Sequence, residues 1–354
     1  MGKLNVRGVK DKSKLSENIK KVLLRSTKNL SWLKKGDTVL LKPALNSPDP
    51  YPSTTNPLTL KVVAETLREK GAKVFAADQS GIEYVLQDKS RKIKGSSKEN
   101  YVRSGMVNSG VDFIGFEELG WEKYYKYKSK KTKSWKNGFY VSDLIDEVDH
   151  TINIPRLSTH MQSGVTLGFK NWVGIIRDDS RLEFHADGPY NTVMRFFARK
   201  SNLNKHYPKQ YSFFKKMVEI YDAVKNKNRL TLVVGDKTQL TFGPDKTTAK
   251  FFNAHLHEPK PALVFASENP VLFESFSVAY LKTLYNKVSK TKKALNKINF
   301  KINKQASEIS EQKVWENPFV KHALELGFGK KETNVIYKNV PSNLKIKLTK
   351  ELSQ

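Results

Sequence analysis

The sequence predicts an α/β protein with a mixed, mostly parallel sheet flanked by helices, arranged as two lobes with a crevice between them. Three observations carry this reading. Residues 38–80 follow the strand–helix–strand pattern of a parallel crossover, short apolar runs recur along the rest of the chain, and residues 269–285 hold a long helical period. The lobes are expected at 1–150, around the first crossover, and at 151–354, holding a central polar motif and a Lys-rich helical arm.

The first crossover begins after the turn at Gly36 and Asp37. "TVLLKPAL" is a short buried-type strand, and "NPLTLKVVAETLREKGAKVFAADQSG" reads as helix, turn and second strand. Asn56 or Thr55 suits the helix cap, Pro57 suits its first residue, and Gly71 suits its stop. The connection from Pro43 to Asn56 contains Pro43, Pro48, Pro50 and Pro52 and is long for a βα loop, which favours a binding loop. In such a unit the strand carboxyl ends and the helix amino end share one sheet edge, so Lys42, Asn46, Thr54, Thr55, Asp78 and Ser80 should converge there. That edge suits an anion. The plainer reading is that the threonines cap, Asp78 ends a strand and Lys42 is solvated.

Next, "VDFIGFEE", "GFYVSDLI" and "HTINIPRL" read as strands, and the last leads into "TINIPRLSTHMQSGVTLGFKNWVG", residues 151–174. Pro155 should end the strand, since it lacks a ladder donor. Arg156, Thr159, His160, Thr166, Lys170 and Asn171 then crowd a glycine-broken segment. If "SGVTLGFKN" is helical from Ser163 and Gly164, Thr166 and Lys170 lie one turn apart on one face. The segment then reads as a strand-to-helix turn that binds an oxyanion and transfers a proton, facing Lys42 and Thr55. Each residue also has a structural reading: His160 satisfied by backbone, Lys170 snorkelling, and His185 in a loop.

"RLTLVVGD" and "PALVFAS" read as two further strands and "NPVLFESFSVAYLKTLY" as a helix. Residues 282–313 are expected to form a solvated Lys-rich arm. His255 and His257 share a strand face beside Glu258, a spacing that suits metal but is common by chance, and no metal site is assigned.

Composition bounds the function. The 354-residue chain has no cysteine, which removes disulfides, thiolate zinc sites and any iron–sulfur cluster held by this chain. No run of about eighteen apolar residues predicts a spanning helix, so a cytoplasmic protein without membrane contact is expected. The net charge is +28, yet it comes from 52 Lys against 11 Arg spread along the chain. Nucleic-acid readers lean on the Arg fork, so only weak, salt-sensitive nucleic-acid binding is expected. There is no complete G-x-G-x-x-G after a strand, no P-loop, no G-x-S-x-G and no H-E-x-x-H.

Taken in order, "VLLKPAL", "TTNPLTLKVVAETLREKGAKVFAADQSG", "TINIPRLSTHMQSGVTLGFKNWVGII", His185, "VVGDKTQLTFGP", "PALVFASENPVLFESFSVAYL" and "HALELGFG" resemble the domain of unknown function 362 family. The resemblance runs from about residue 36 to about residue 330, with the middle motif its specific part. It implies an α/β fold and, for many members, an attached ferredoxin-like segment, which a cysteine-free chain cannot supply. Any redox chemistry would need an external electron donor. Two positions depart from the family pattern: Ala44 replaces the Asn of Lys-Pro-Asn, and Asn269-Pro270 with Glu274 replaces an Asp-Pro segment with two aspartates. The leading expectation is an enzyme acting on a small anionic substrate or cofactor, with His160, Lys170 and His185 catalytic. Lys42, Asn46, Thr54, Thr55, Asp78, Ser80, Arg156, Thr159, Thr166 and Asn171 are expected to bind it. The cofactor is unassigned. The alternatives are a non-catalytic ligand-binding protein of the same fold and a Lys-rich nucleic-acid-binding protein.

Overall fold

The computed structural model describes residues 2–90, 92–188, 212–243, 254–302 and 306–354. Its centre is an eight-stranded sheet. The strands are β1 (Leu4–Val9), β2 (Thr38–Pro43), β3 (Lys73–Asp78), β4 (Phe113–Gly115), β5 (His150–Ile154), β6 (Asn228–Gly235), β7 (Ala262–Ser267) and β8 (Val335–Lys338). Their order across the sheet is β8-β1-β7-β6-β5-β2-β3-β4. Only β7 runs against its neighbours, β1 and β6; every other pairing is parallel. The mixed, mostly parallel α/β architecture is therefore the one the sequence predicts. The expected lobe division falls at the first residue of β5, which pairs with β2 from one side of residue 150 and with β6 from the other.

The two-residue period of each strand supplies two cores. Val39, Leu41, Val74, Ala76, Ile152, Leu230 and Leu232 face helices α1 (Leu15–Ser26) and α2 (Pro57–Arg68). Leu40, Ala77, Val233, Leu263 and Phe265 point to the other face, under Phe169, Trp172 and the long helix Pro270–Tyr285. Each such fully buried Leu or Phe contributes about 1.5–3 kcal/mol relative to exposure. The crossover β2–α2–β3 forms as expected, with Asn56, not Thr55, as the cap: its Oδ1 accepts the Leu58 N–H at 2.9 Å. Gly71, at φ +86°, supplies the left-handed turn that leads back toward β3.

Two expectations change. The segment after Pro155 is not a helix from Ser163 onward but a β-hairpin, Ser158–His160 paired with Gly164–Thr166. Gly164 has φ +76° and pairs with His160 across the hairpin, and the helical part is confined to α3 (Gly168–Asn171). His185 lies in helix α4 (Asp178–Ala186) rather than a loop. The Lys-rich arm, described except for 303–305, is also anchored more firmly than a solvated arm would be. Tyr285, Val288, Asn296, Glu308 and Ile309 are buried, and the Asn299 amide donates to Met161 O of the hairpin at 3.1 Å. The helix Pro270–Tyr285, here α5, leads into this arm.

Candidate functional site

The carboxyl ends of β2 and β3 meet the hairpin, α3 and α4 at one sheet edge, around a cavity of about 120 Å3. Its floor is a buried ion pair. Lys42, the next-to-last residue of β2, reaches Asp78 Oδ1 at 2.7 Å at the end of β3 and also donates to Pro43 O at 2.8 Å. Asp78 accepts the Leu45 and Gln79 N–H groups, each at 2.8 Å. Burial pulls the Lys42 ammonium below the usual lysine range and pushes the Asp78 carboxyl above its own, while their attraction opposes both shifts. Gly174 closes over this pair: a Cβ there would stand 1.8 Å from Asp78 Oδ1 and 3.1 Å from Lys42 Nζ.

The hairpin and α3 supply the walls. Asn171 donates to Lys42 O at 3.0 Å and to Asn153 Oδ1 at 2.7 Å, and Asn153 in turn donates to Gly168 O at 2.9 Å. These amides lock α3 to β2 and β5, and Lys170, Asn171, Val173 and Gly174 thereby line the cavity. His160, Met161, Gln162 and Thr166 line it from the hairpin, so Thr166 and Lys170 share the cavity although no single helix carries both. Arg181, Phe184 and His185 line it from α4.

The two histidines are electrostatically alike. His160 Nδ1 accepts the N–H groups of Gln162 at 3.1 Å and Ser163 at 3.4 Å, which leaves the hydrogen of the neutral ring on Nε2. Burial holds His160 well below the usual histidine range, helped by the charges of Lys170 and Arg156. Burial also holds His185 well below that range, with Lys170 and Arg181 adding to the effect. Both rings are therefore neutral at neutral pH, and Lys170 is a common cause.

Of the predicted site residues, Lys42, Asp78, Asn46, His160, Thr166, Lys170, Asn171 and His185 are at or under this cavity. Thr54, Thr55, Ser80, Arg156 and Thr159 are buried and committed to the scaffold. Thr55 Oγ1 donates to Ile154 O at 2.6 Å and accepts the Ala44 N–H, while Thr54 Oγ1 donates to Asp49 O. Ser80 binds Ser97, Asn100 and the Arg181 guanidinium, and Thr159 Oγ1 donates to Gln239 O. The Arg156 guanidinium donates to Ser53 O at 2.6 Å, Ser158 Oγ at 2.8 Å and Gln239 Oε1 at 2.7 Å, pinning the proline-rich loop to the hairpin.

The family model described as a domain of unknown function (DUF362) matches residues 39–279. The chain belongs to the DUF362 family. No curated protein matches it. Among solved structures, the lactate racemase apoprotein from Thermoanaerobacterium thermosaccharolyticum is similar at 16% identity and a TM-score of 0.42, over 72% of this chain and 54% of that one. The chain thus spans about half the length of that structure.

The DUF362 match covers all the elements that bound the cavity. Of the two departures from the DUF362 pattern, Ala44 lines the cavity, and both residues of the second, Asn269 and Glu274, have structural roles. Asn269 Oδ1 accepts the Val271 and Leu272 N–H groups and caps α5. Glu274 is fully buried on α5, and its Oε2 accepts the Phe169 N–H at 3.3 Å at the amino end of α3. With no cation beside it among the described residues, burial pushes its carboxyl up to about 8. The pattern of residues missed several lining groups: Gln79, Glu83 and Tyr84, which follow β3, and Arg181 on α4. "DQSGIEY" carried a usable signal for the first three, since it continues the strand end already assigned to the site. His255 and His257 stack at 6.2 Å, but Glu258 pairs with Lys12 at 2.8 Å, and no group of three metal-ligating side chains occurs among the described residues. Among the described residues no helix is long and apolar enough to cross a membrane.

Proposed function

We propose that this protein is an enzyme that binds a small anion in the cavity at the carboxyl edge of β2 and β3 and transfers a proton to or from it. The observation that carries this reading is the meeting of two neutral histidines and Lys170 in one cavity above a buried Lys42–Asp78 pair. Lys170 holds the anionic group. His160, whose Nδ1 is already accepting, presents Nε2–H as a donor to developing negative charge, and neutral His185 accepts the proton. Asn171 positions Lys170 by fixing α3 to the sheet. Lys42 acts through Asp78 and the backbone rather than on the ligand.

A second reading, a ligand-binding protein without turnover, is favoured by Asn269, whose amide caps a helix where the DUF362 pattern has a carboxylate. The two readings part on whether a ligand recovered after incubation is chemically changed. The anion site itself is tested by titrating wild type and variants with inorganic phosphate and with propionate. Lys170→Ala removes a charge-assisted contact of about 1.5–3 kcal/mol, so affinity should fall roughly tenfold or more with the melting temperature almost unchanged. Lys170→Arg should restore only part of it. Unchanged affinity in Lys170→Ala would remove this residue from the site.

A further inference from the structure

Two carboxylates line the cavity, and they differ in what surrounds them. Asp78 is consumed by Lys42 and two backbone N–H groups. Glu83 has no side-chain hydrogen bond and no ion pair within 4 Å among the described residues. Lys94 donates to the backbone oxygen of Glu83, and Lys94 and Lys170 act on its carboxylate only as charges through space. The segment that carries Glu83 is fixed. Gly81 donates to Asn46 O at 2.9 Å, and Tyr84 and Val85 both fold back on Gly81 O. A Cβ at 81 would stand 2.9 Å from Asn46 O, so the turn packs closely against the loop after β2. Glu83 is therefore a partly buried carboxylate on a rigid turn, with Lys170, His160 and His185 on the other elements around the same small cavity.

Resting on the anion site proposed above, we infer that the ligand is a small zwitterion whose anionic group meets Lys170 and whose ammonium group meets Glu83. A simple monoanion would compete with the Glu83 carboxylate for the charge of Lys170 and be repelled by it, which discriminates against such a ligand. An ammonium on the same molecule turns the repulsion into a charge-assisted contact. Ile82, Met161, Val173 and Phe184 give the lining an apolar part beside its polar groups, which suits a short carbon skeleton between the two charged ends. The size is also limiting, since a cavity of roughly 150 Å3 holds a benzene-sized molecule.

Alanine, lactate and propionate share one skeleton and differ at a single position, carrying an ammonium, a hydroxyl and a hydrogen there. Calorimetric titration of the wild-type protein with racemic alanine, racemic lactate and propionate should rank alanine first, at least tenfold tighter than propionate, with lactate between. Glu83→Gln should weaken alanine by tenfold or more and leave propionate equal or tighter, while Lys170→Ala should weaken both. Alanine binding no tighter than propionate, or lactate binding tightest, would overturn the zwitterion assignment. So would an equal loss of both ligands in Glu83→Gln. If propionate and phosphate still depend on Lys170 in those cases, the anion site stands and only the ammonium preference falls. Failure of every probe, phosphate included, to bind wild type would contradict the anion site itself.

Discussion

Gly174 shows at the scale of one residue how tightly the site is built. A methyl group there would overlap Asp78 Oδ1 and press on Lys42, so Gly174→Ala must displace a buried ion pair or the backbone of the segment after α3. Overpacking costs about 1–3 kcal/mol and breaking a buried pair about 3–5 kcal/mol. Chemical denaturation should therefore show Gly174→Ala destabilised by at least about 2 kcal/mol; an unchanged midpoint would mean that the glycine is not a packing requirement. The histidines give a second residue-scale prediction. His160 and His185 have folded pKa values depressed below their unfolded value of about 6.5. The unfolded chain thus binds more protons as pH falls, and the stability these buried rings contribute is complete above that value and lost below it. Denaturation midpoints between pH 7 and pH 5 should fall less in His160→Gln and His185→Gln than in wild type, and equal slopes would sink this assignment.

At the scale of elements, the cavity depends on α5 supporting α3. Glu274 reaches from α5 to the amino end of α3, where Leu167 offers no side-chain cap. Its folded carboxyl is raised to about 8 from 4.5, so the folded state holds the proton longer, and stability declines as pH rises from the unfolded value through about 8. Glu274→Gln should remove that decline while retaining an acceptor for Phe169 N–H. Below the unfolded value of 4.5, where no ionisation penalty operates, Glu274→Ala should cost about 1–3 kcal/mol, because it leaves a buried N–H unpaired. A wild-type alkaline decline unaltered in Glu274→Gln would show that another group titrates. Elements with strong local periodicity, such as β2, α2, β3 and α5, are legible in the sequence. The hairpin at 158–166 is not, because three-residue strands carry too little alternation, and the Thr166–Lys170 spacing imitates one helical turn. Strand β1 is equally hard to read: LNVRGV offers six residues with Arg and Gly among them, and it is β7 and β8 that complete it.

For the whole molecule, the direction of the parallel strands gathers distant residues on one edge, which is why Lys42, Asp78, His160 and Lys170 can be assigned together from sequence. What sequence does not show is which polar side chains the scaffold consumes. Arg156, Thr54 and Thr55 have the chemistry of a site but spend it on backbone carbonyls of segments that fold beside them. Charge is likewise a property of the whole chain. With +28 spread over dispersed lysines, nucleic-acid binding should be weak, independent of sequence and largely lost between about 50 and 200 mM salt. A tight, sequence-selective complex at physiological salt would contradict this. The most direct test of the anion site is a crystal structure of protein purified without stripping, paired with mass analysis of whatever it carries. A small ligand should occupy the cavity with its anionic group on Lys170 and within hydrogen-bonding distance of His160 Nε2. A ligand seated elsewhere, or bound in this cavity through its apolar face with Lys170 and His160 turned away, would contradict it.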